Sequence, residues 1–361
     1  MQPDEGVSVA DKKKIVAPLP AMLRPGVVDD RYGRQLSILG DLAEVHEVQV
    51  TSPEALIEGA RDADALMTTW GVRITREIIA ELDQCVTIGL ASVGVDMVDV
   101  EAATDHGIVV TNAPDAFIEE VADHAMLLLL SGWRRFRRID EMARTDGDWH
   151  KSRPLLNNYR PLRGQTLGLV AFGNVATLVA RRAKAFGLNV IAHDPYVSSL
   201  RMVAEDVESV LTLDELLERS DFVSMHSALN EETHHLIGAE QLARMKDTAI
   251  LINTSRGGTV DGTAVAEAIA RGSIAGAALD VLEEEPPDLS HPLFALDDVI
   301  ITSHVASASS MMRVASETRA AREIALVLKG RWPMACVNPT VLPKIELERW
   351  QPVSMDRGPN R

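Results

Sequence analysis

The sequence predicts an α/β protein built from two doubly wound parallel sheets. Two observations carry this. Short apolar or β-branched runs alternate with amphipathic stretches at helical spacing, the pattern of strands crossed over by helices. That alternation occurs in two separate series, and 361 residues are enough for two domains that each bury a core.

The first series places strands at Lys14 to Ala17, Glu47 to Val50, Ala65 to Thr68, Thr87 to Leu90 and Ile108 to Thr111. A long helical reading follows over Ala116 to Trp149, with Phe117, Val121, Ala125, Leu128 and Leu129 at spacings of three and four. Lying between the two series, it is expected to pack outside its own unit. The second series reads Gln165 to Phe172, Asn189 to His193, Phe222 to Met225, Ala249 to Asn253, Ala275 to Leu279 and Val299 to Ile301. Met311 to Leu328 is helical again, and the tail "RGPNR" has no periodicity.

A net charge of −17 disfavours nucleic acid and anionic membranes as partners, so an anionic small ligand must be held by local groups. Arg134, Arg135, Arg137 and Arg138 form the one dense basic run, and cations at a helix C-terminus explain it. Cys85 and Cys336 lie far apart without metal-ligand spacing, so no metal site is expected. Lys12 to Lys14 precede no signal-peptide core, and the longest Leu-rich run is too short to span a bilayer. A cytoplasmic location is expected.

The stretch "LGLVAFGNVATLVARRAKAFG", Leu167 to Gly187, has the layout of a dinucleotide-binding loop: strand, turn, amphipathic helix. Of the three glycines of that pattern only the middle one, Gly173, is present; Ala171 and Ala176 take the outer positions. Alanine is accepted at the third. At the first, a methyl costs roughly 1–2 kcal/mol if φ is positive and little if it is negative. Asp194 stands 21 residues beyond Gly173, at the end of the next strand, where a carboxylate accepts from adenosine ribose hydroxyls and repels a 2′-phosphate.

Three later strands end on polar groups: "LINTSRGGTVD" on Arg256, "GAALDVLEEEP" on Asp280 and Glu285, and "ITSHVAS" on His304. Ligands of open α/β sheets bind at strand C-terminal ends. A guanidinium fork suits a carboxylate, histidine exchanges protons near neutral pH, and a neighbouring carboxylate stabilises its imidazolium.

This ordered set resembles the D-isomer-specific 2-hydroxyacid dehydrogenase family from about Leu66 through Pro339. "RPLRGQTLGLV", "RAKAFGLNVIAHDPY", "LNEETHHLIG", "INTSRGGTVD", "GAALDVLEEEP" and "ITSHVA" look most like its C-terminal-binding-protein branch. The resemblance implies Rossmann and flavodoxin-like domains: a discontinuous substrate domain, 1–111 with 309–361, and a nucleotide domain, 112–308. It implies NAD as cofactor, a 2-oxoacid or D-2-hydroxyacid as substrate, and a homodimer paired largely through the nucleotide domains. Arg256 would bind the oxoacid, Glu285 assist, and His304 exchange the proton. Phe172, Gly173, Asn174, Val175, Asp194, Ser227, Thr254, Arg256, Asp280 and His304 would contact the cofactor. Trp70, Val93 and Gly94, the last two in the substrate loop "ASVGVD", would join Arg256 and His304 around the substrate.

Several departures qualify the likeness. Asn174 occupies a position that carries arginine against the pyrophosphate in many relatives, so cofactor binding is expected to be loose and tightened by Asn174→Arg. Ala228 replaces a usual proline, and Ser307 replaces the branch's tryptophan, so its substrate preference does not carry over. Glu285 argues against formate dehydrogenase, which has glutamine there. A competing reading is a nucleotide-sensing or corepressor-like binding protein with little turnover.

Overall fold

The computed structural model describes residues 12–23, 26, 28–68, 71–145, 147, 149–157 and 159–348. The chain divides into one unit of Met1–Ala116 with Ser310–Arg361 and another of Phe117–Ser309. Each has its own parallel sheet.

In the first unit β1 (Lys13–Pro20), α1 (Val28–Leu39), β2 (Ala43–Val50), α2 (Pro53–Ala60), β3 (Ala65–Thr68), α3 (Arg76–Ile79), β4 (Thr87–Leu90), α4 (Val100–Asp105) and β5 (Val109–Thr111) alternate. Strand order is β2-β1-β3-β4-β5, the flavodoxin-like arrangement. The sheet is buried on both faces. Val16 and Leu66 point into one core with Leu56 and Ile78, whereas Ile15, Ala17 and Met67 point into the other. Strands packed on both sides read as continuous apolar runs, which is why they stand out in the sequence.

The second unit opens with α5 (Ile118–Trp133) and α6 (Phe136–Arg144). It continues β6 (Thr166–Val170), α7 (Asn174–Ala185), β7 (Asn189–His193), α8 (Ser199–Ala204), β8 (Glu208–Ser209), α9 (Leu213–Arg219), β9 (Phe222–Met225), α10 (Ala239–Leu242), β10 (Ile250–Asn253), α11 (Gly262–Ala270), β11 (Gly276–Leu279) and β12 (Val299–Ile301). A last helix, α12 (Met312–Leu328), belongs to the first unit, where Ile324 and Ala325 join its core. Strand order is β12-β11-β10-β9-β6-β7-β8, all parallel. The chain winds outward in both directions from β6 and β9, so the switch point lies between their C-terminal ends, where such sheets bind ligands.

Two expectations are corrected here. The helix expected over Ala116 to Trp149 is broken: Arg135 takes a left-handed φ of 49° between α5 and α6. The α5 stripe packs within the second unit. Its Ala122, Ala125, Leu128 and Leu129 share a core with Leu167 and Leu169 of β6 and Val179 of α7. The arginine run beyond α5 is engaged locally, with Arg135 on Asp298 at 3.1 Å, Arg138 on Asp297 at 3.7 Å and Arg134 over the Tyr159 ring.

Candidate active site

The dinucleotide loop leaves β6 at Val170 and enters α7 at Asn174. Ala171 has a φ of 71°, the left-handed region in which a Cβ is strained. Its N–H donates to the His193 carbonyl at 2.9 Å, which ties the turn to β7. Phe172 buries its ring in the core, and its N–H donates to Asp194 Oδ2 at 2.8 Å. The other oxygen, Oδ1, accepts from the N–H groups of Tyr196 at 2.8 Å and Val197 at 3.1 Å. Asp194 therefore braces two loops, and a carboxylate with about four acceptor positions retains capacity for a ligand hydroxyl.

Gly173 is the N-cap of α7 with a φ of −82°, so no left-handed turn requires glycine there. A Cβ at Gly173 would meet nothing within 4 Å, so open space lies on the side from which a ligand would reach the loop. Behind it Ala176 is fully buried, and Val175 packs against the same core. Ser227 and Thr254, after β9 and β10, present buried hydroxyl oxygens without a hydrogen-bond partner among the described residues. An open cradle at a helix N-terminus, orphaned hydroxyls at the switch point and a strand-end carboxylate fit a bound dinucleotide.

The neighbouring rim carries the ionisable groups. After β10, buried Asn253 shapes the loop that bears Arg256. Its Nδ2 donates to the Arg256 carbonyl at 3.0 Å, and its Oδ1 accepts from the Ser255 N–H at 2.9 Å. Gly257 follows because a Cβ would stand 1.9 Å from the Leu282 carbonyl carbon, a contact between backbones that cannot yield. Arg256 is half-buried, with Nη1 donating to the Ser255 carbonyl at 2.8 Å.

Asp280 ends β11 with its side chain fully buried. Its carboxylate accepts from the Thr302 hydroxyl at 2.5 Å, the Val305 N–H at 3.0 Å and the Ala306 N–H at 2.9 Å, while its carbonyl accepts from the His304 N–H at 2.8 Å. His124 of α5 also meets Thr302, at 3.0 Å. This clasp closes a tight loop in which His304 has a φ of 52°. His304 Nδ1 then lies 2.7 Å from Glu285 Oε2, and Glu285 Oε1 accepts from the Leu282 N–H at 3.0 Å. The Glu285 hydrogen bond raises the His304 pKa above the ordinary histidine value, outweighing partial burial and the nearby Arg256 charge. Burial pushes Glu285 up, yet the His304 and Leu282 hydrogen bonds leave its pKa below the usual carboxylate value.

Arg256, Asp280, Glu285 and His304 are thus brought together on adjacent strands β10, β11 and β12. Val93 and Gly94 lie in the first unit, on the loop after β4. There Asn112 Nδ2 donates to the Val93 carbonyl at 2.7 Å, and the Ser92 hydroxyl donates to the Gly94 carbonyl at 2.8 Å. Among the described residues, neither the Val93 nor the Gly94 N–H has an acceptor. Trp70 lies outside the described residues. Sequence reading missed Asn253 and Thr302, whose only signal is a polar side chain where a buried strand gives way to a loop. No group of metal-ligating side chains occurs among the described residues.

A dinucleotide loop at the switch point and a histidine–carboxylate pair with an arginine on the same rim define a nicotinamide-dependent oxidoreductase. Residues 126–306 match the family model described as "D-isomer specific 2-hydroxyacid dehydrogenase, NAD binding domain". The chain is 38% identical over 331 residues, 92% of its length, to the D-3-phosphoglycerate dehydrogenase of Methanocaldococcus jannaschii, of which it spans 62%. It is 39% identical over 341 residues to the glyoxylate reductase of Thermofilum pendens, covering 91% of this chain and 98% of that one. Among solved structures, the D-lactate dehydrogenase of Aquifex aeolicus complexed with NAD and lactic acid superposes with a TM-score of 0.75 at 27% identity, over 88% of this chain and 96% of that one. The chain belongs to the D-isomer specific 2-hydroxyacid dehydrogenase family.

The strain at Ala171 makes a direct prediction. Ala171→Gly relieves roughly 1–2 kcal/mol of left-handed strain but adds about 0.4–1 kcal/mol of unfolded-state entropy, for a net stabilisation between about 0 and 1.6 kcal/mol. The denaturation midpoint of the variant checks it, and a destabilised protein would contradict the left-handed turn.

Proposed function

We propose that the protein is an NAD-dependent reductase of a 2-oxoacid, running toward the D-2-hydroxyacid. The observation that carries this reading is the 2.7 Å His304–Glu285 pair, one strand from the Arg256 loop on the rim that bears the dinucleotide loop. When bound, the nicotinamide supplies the hydride. The Arg256 fork holds the substrate carboxylate and fixes the 2-oxo carbon in one orientation. His304 keeps Nδ1 toward Glu285, which leaves Nε2 to deliver a proton to the oxygen that becomes the hydroxyl. Glu285 stabilises the imidazolium, so the charged donor form is favoured before reaction.

Asp194 selects NADH: the carboxylate accepts from the ribose hydroxyls and repels a 2′-phosphate. Ser227 and Thr254 give their hydroxyls to the cofactor, and the N–H groups of Gly173, Asn174 and Val175 face its pyrophosphate. The protein also acts as a cytoplasmic homodimer in this reading. Its cysteines are unbridged, as in a reducing compartment, and the family likeness supports pairing through the nucleotide-binding units. Light scattering tests this against the 39.3 kDa of one chain.

An NADH-consumption screen over glyoxylate, hydroxypyruvate, phenylpyruvate and branched oxoacids, repeated with NADPH, tests the whole reading. Steady turnover with at least one acid and a clear preference for NADH are expected. Equal use of both cofactors would remove Asp194 from its role. Binding of NADH without turnover on any acid would favour the second reading, a nucleotide-sensing protein of the C-terminal-binding-protein type, which the strained Ala171 turn supports.

Reduction requires protonated His304. The rate falls as pH rises through the His304 pKa, which the Glu285 hydrogen bond places above the ordinary histidine value. Glu285→Gln removes the largest raising influence, so the fall moves to lower pH; an unchanged profile with chemistry rate-limiting would exclude Glu285. Arg256→Lys keeps the charge but loses the fork, which costs on the order of 2 kcal/mol in kcat/KM with little change in NADH affinity. Near-wild-type efficiency would remove Arg256 from substrate binding.

A further inference from the structure

The dinucleotide loop has no cation of its own where its helix begins, because Asn174 is neutral. The fold brings one from elsewhere. Arg201, on α8, donates Nη2–H to Asn174 Oδ1 at 3.0 Å. One turn on, the Glu205 carboxylate is gripped on both oxygens by Arg181, through Nε at 2.8 Å and Nη2 at 2.6 Å. Arg201 thus makes its hydrogen bond to a neutral amide, and the carboxylate whose charge it also feels, Glu205, is already held by Arg181. A guanidinium has five N–H donors in a fixed fork, and the tether uses one. The remainder stand beside the first turn of α7, where the helix dipole and unsatisfied N–H groups already favour an anion.

We propose that Arg201, positioned by Asn174, supplies the charged contact to the dinucleotide pyrophosphate that the loop lacks. The proposal rests on the NAD reading above. In a chain of net charge −17, such a local cation offsets the long-range repulsion of a doubly charged ligand. Asp194, which begins the turn leading into α8, disfavours the alternative target of a phosphate on the adenosine ribose. The expectation that Asn174→Arg tightens binding is thereby revised. That substitution would set a second guanidinium against Arg201 and remove the carbonyl that steers it.

Calorimetry on the full chain, with NADH, ADP-ribose and adenosine as probes, tests the assignment. Arg201→Ala should weaken NADH and ADP-ribose roughly three- to thirtyfold and leave adenosine, which has no phosphate, unchanged. The loss should shrink at high salt because Arg201 is exposed. Arg201→Lys should retain part of the affinity, Asn174→Arg alone should gain little, and Arg201→Ala combined with Asn174→Arg should recover wild-type binding. Unchanged NADH affinity in Arg201→Ala, or an equal loss for adenosine, would overturn the proposal, the latter by revealing a packing role. Failure of the unmodified protein to bind millimolar NADH would overturn the cofactor reading and this proposal with it.

Discussion

The buried carboxylate of Asp280 is the interaction on which the reactive rim depends. A buried charge without partners costs several kcal/mol, so its three donors are obligatory rather than incidental. These three hydrogen bonds come from residues 302–306, with His124 Nε2 a further neighbour at 3.4 Å, and making them bends the chain after β12 into a tight loop. His304 is carried on that bend in a left-handed conformation that histidine tolerates better than most residues. Glu285 is fixed from the same strand end, through the Leu282 N–H. The histidine–carboxylate pair is thus organised by the loop beneath it.

A second constraint acts at the dinucleotide loop. Asp194 joins the Phe172 N–H of one loop to the Tyr196 and Val197 N–H groups of the next, so the first turn of α7 and the approach to α8 share one anchor. Arg201 and Asn174 bridge the same two segments farther out. Cofactor affinity is consequently a property of the β6–α7 and β7–α8 connections together, and the loop motif taken alone misjudges it.

The parallel strands were legible because burial on both faces leaves apolar runs in most of them, and all eleven expected strands overlap strands of the fold. The two-residue β8 was not, since so short an edge strand has no pattern. The break at Arg135 is harder to read, because the left-handed residue is itself an arginine and the nearest glycine, Gly132, lies inside α5. The stripe on α5 was visible, but a stripe says that a helix is buried and not against what. Around the site, residue types at strand ends pointed to Arg256, Asp280, Glu285 and His304. What Asp280 grips, which sign φ takes at Ala171, and where Arg201 reaches all depend on long-range geometry that spacing does not encode.

The most direct measurement is an NMR titration of the His304 imidazole in the unmodified protein and in Asp280→Asn. The account predicts a pKa above the ordinary histidine value in the first. It predicts a fall toward that value in the second, as the Asp280 charge is lost, the loop slackens and His304 parts from Glu285. An ordinary or lowered pKa in the unmodified protein, or one unmoved by the substitution, would contradict it.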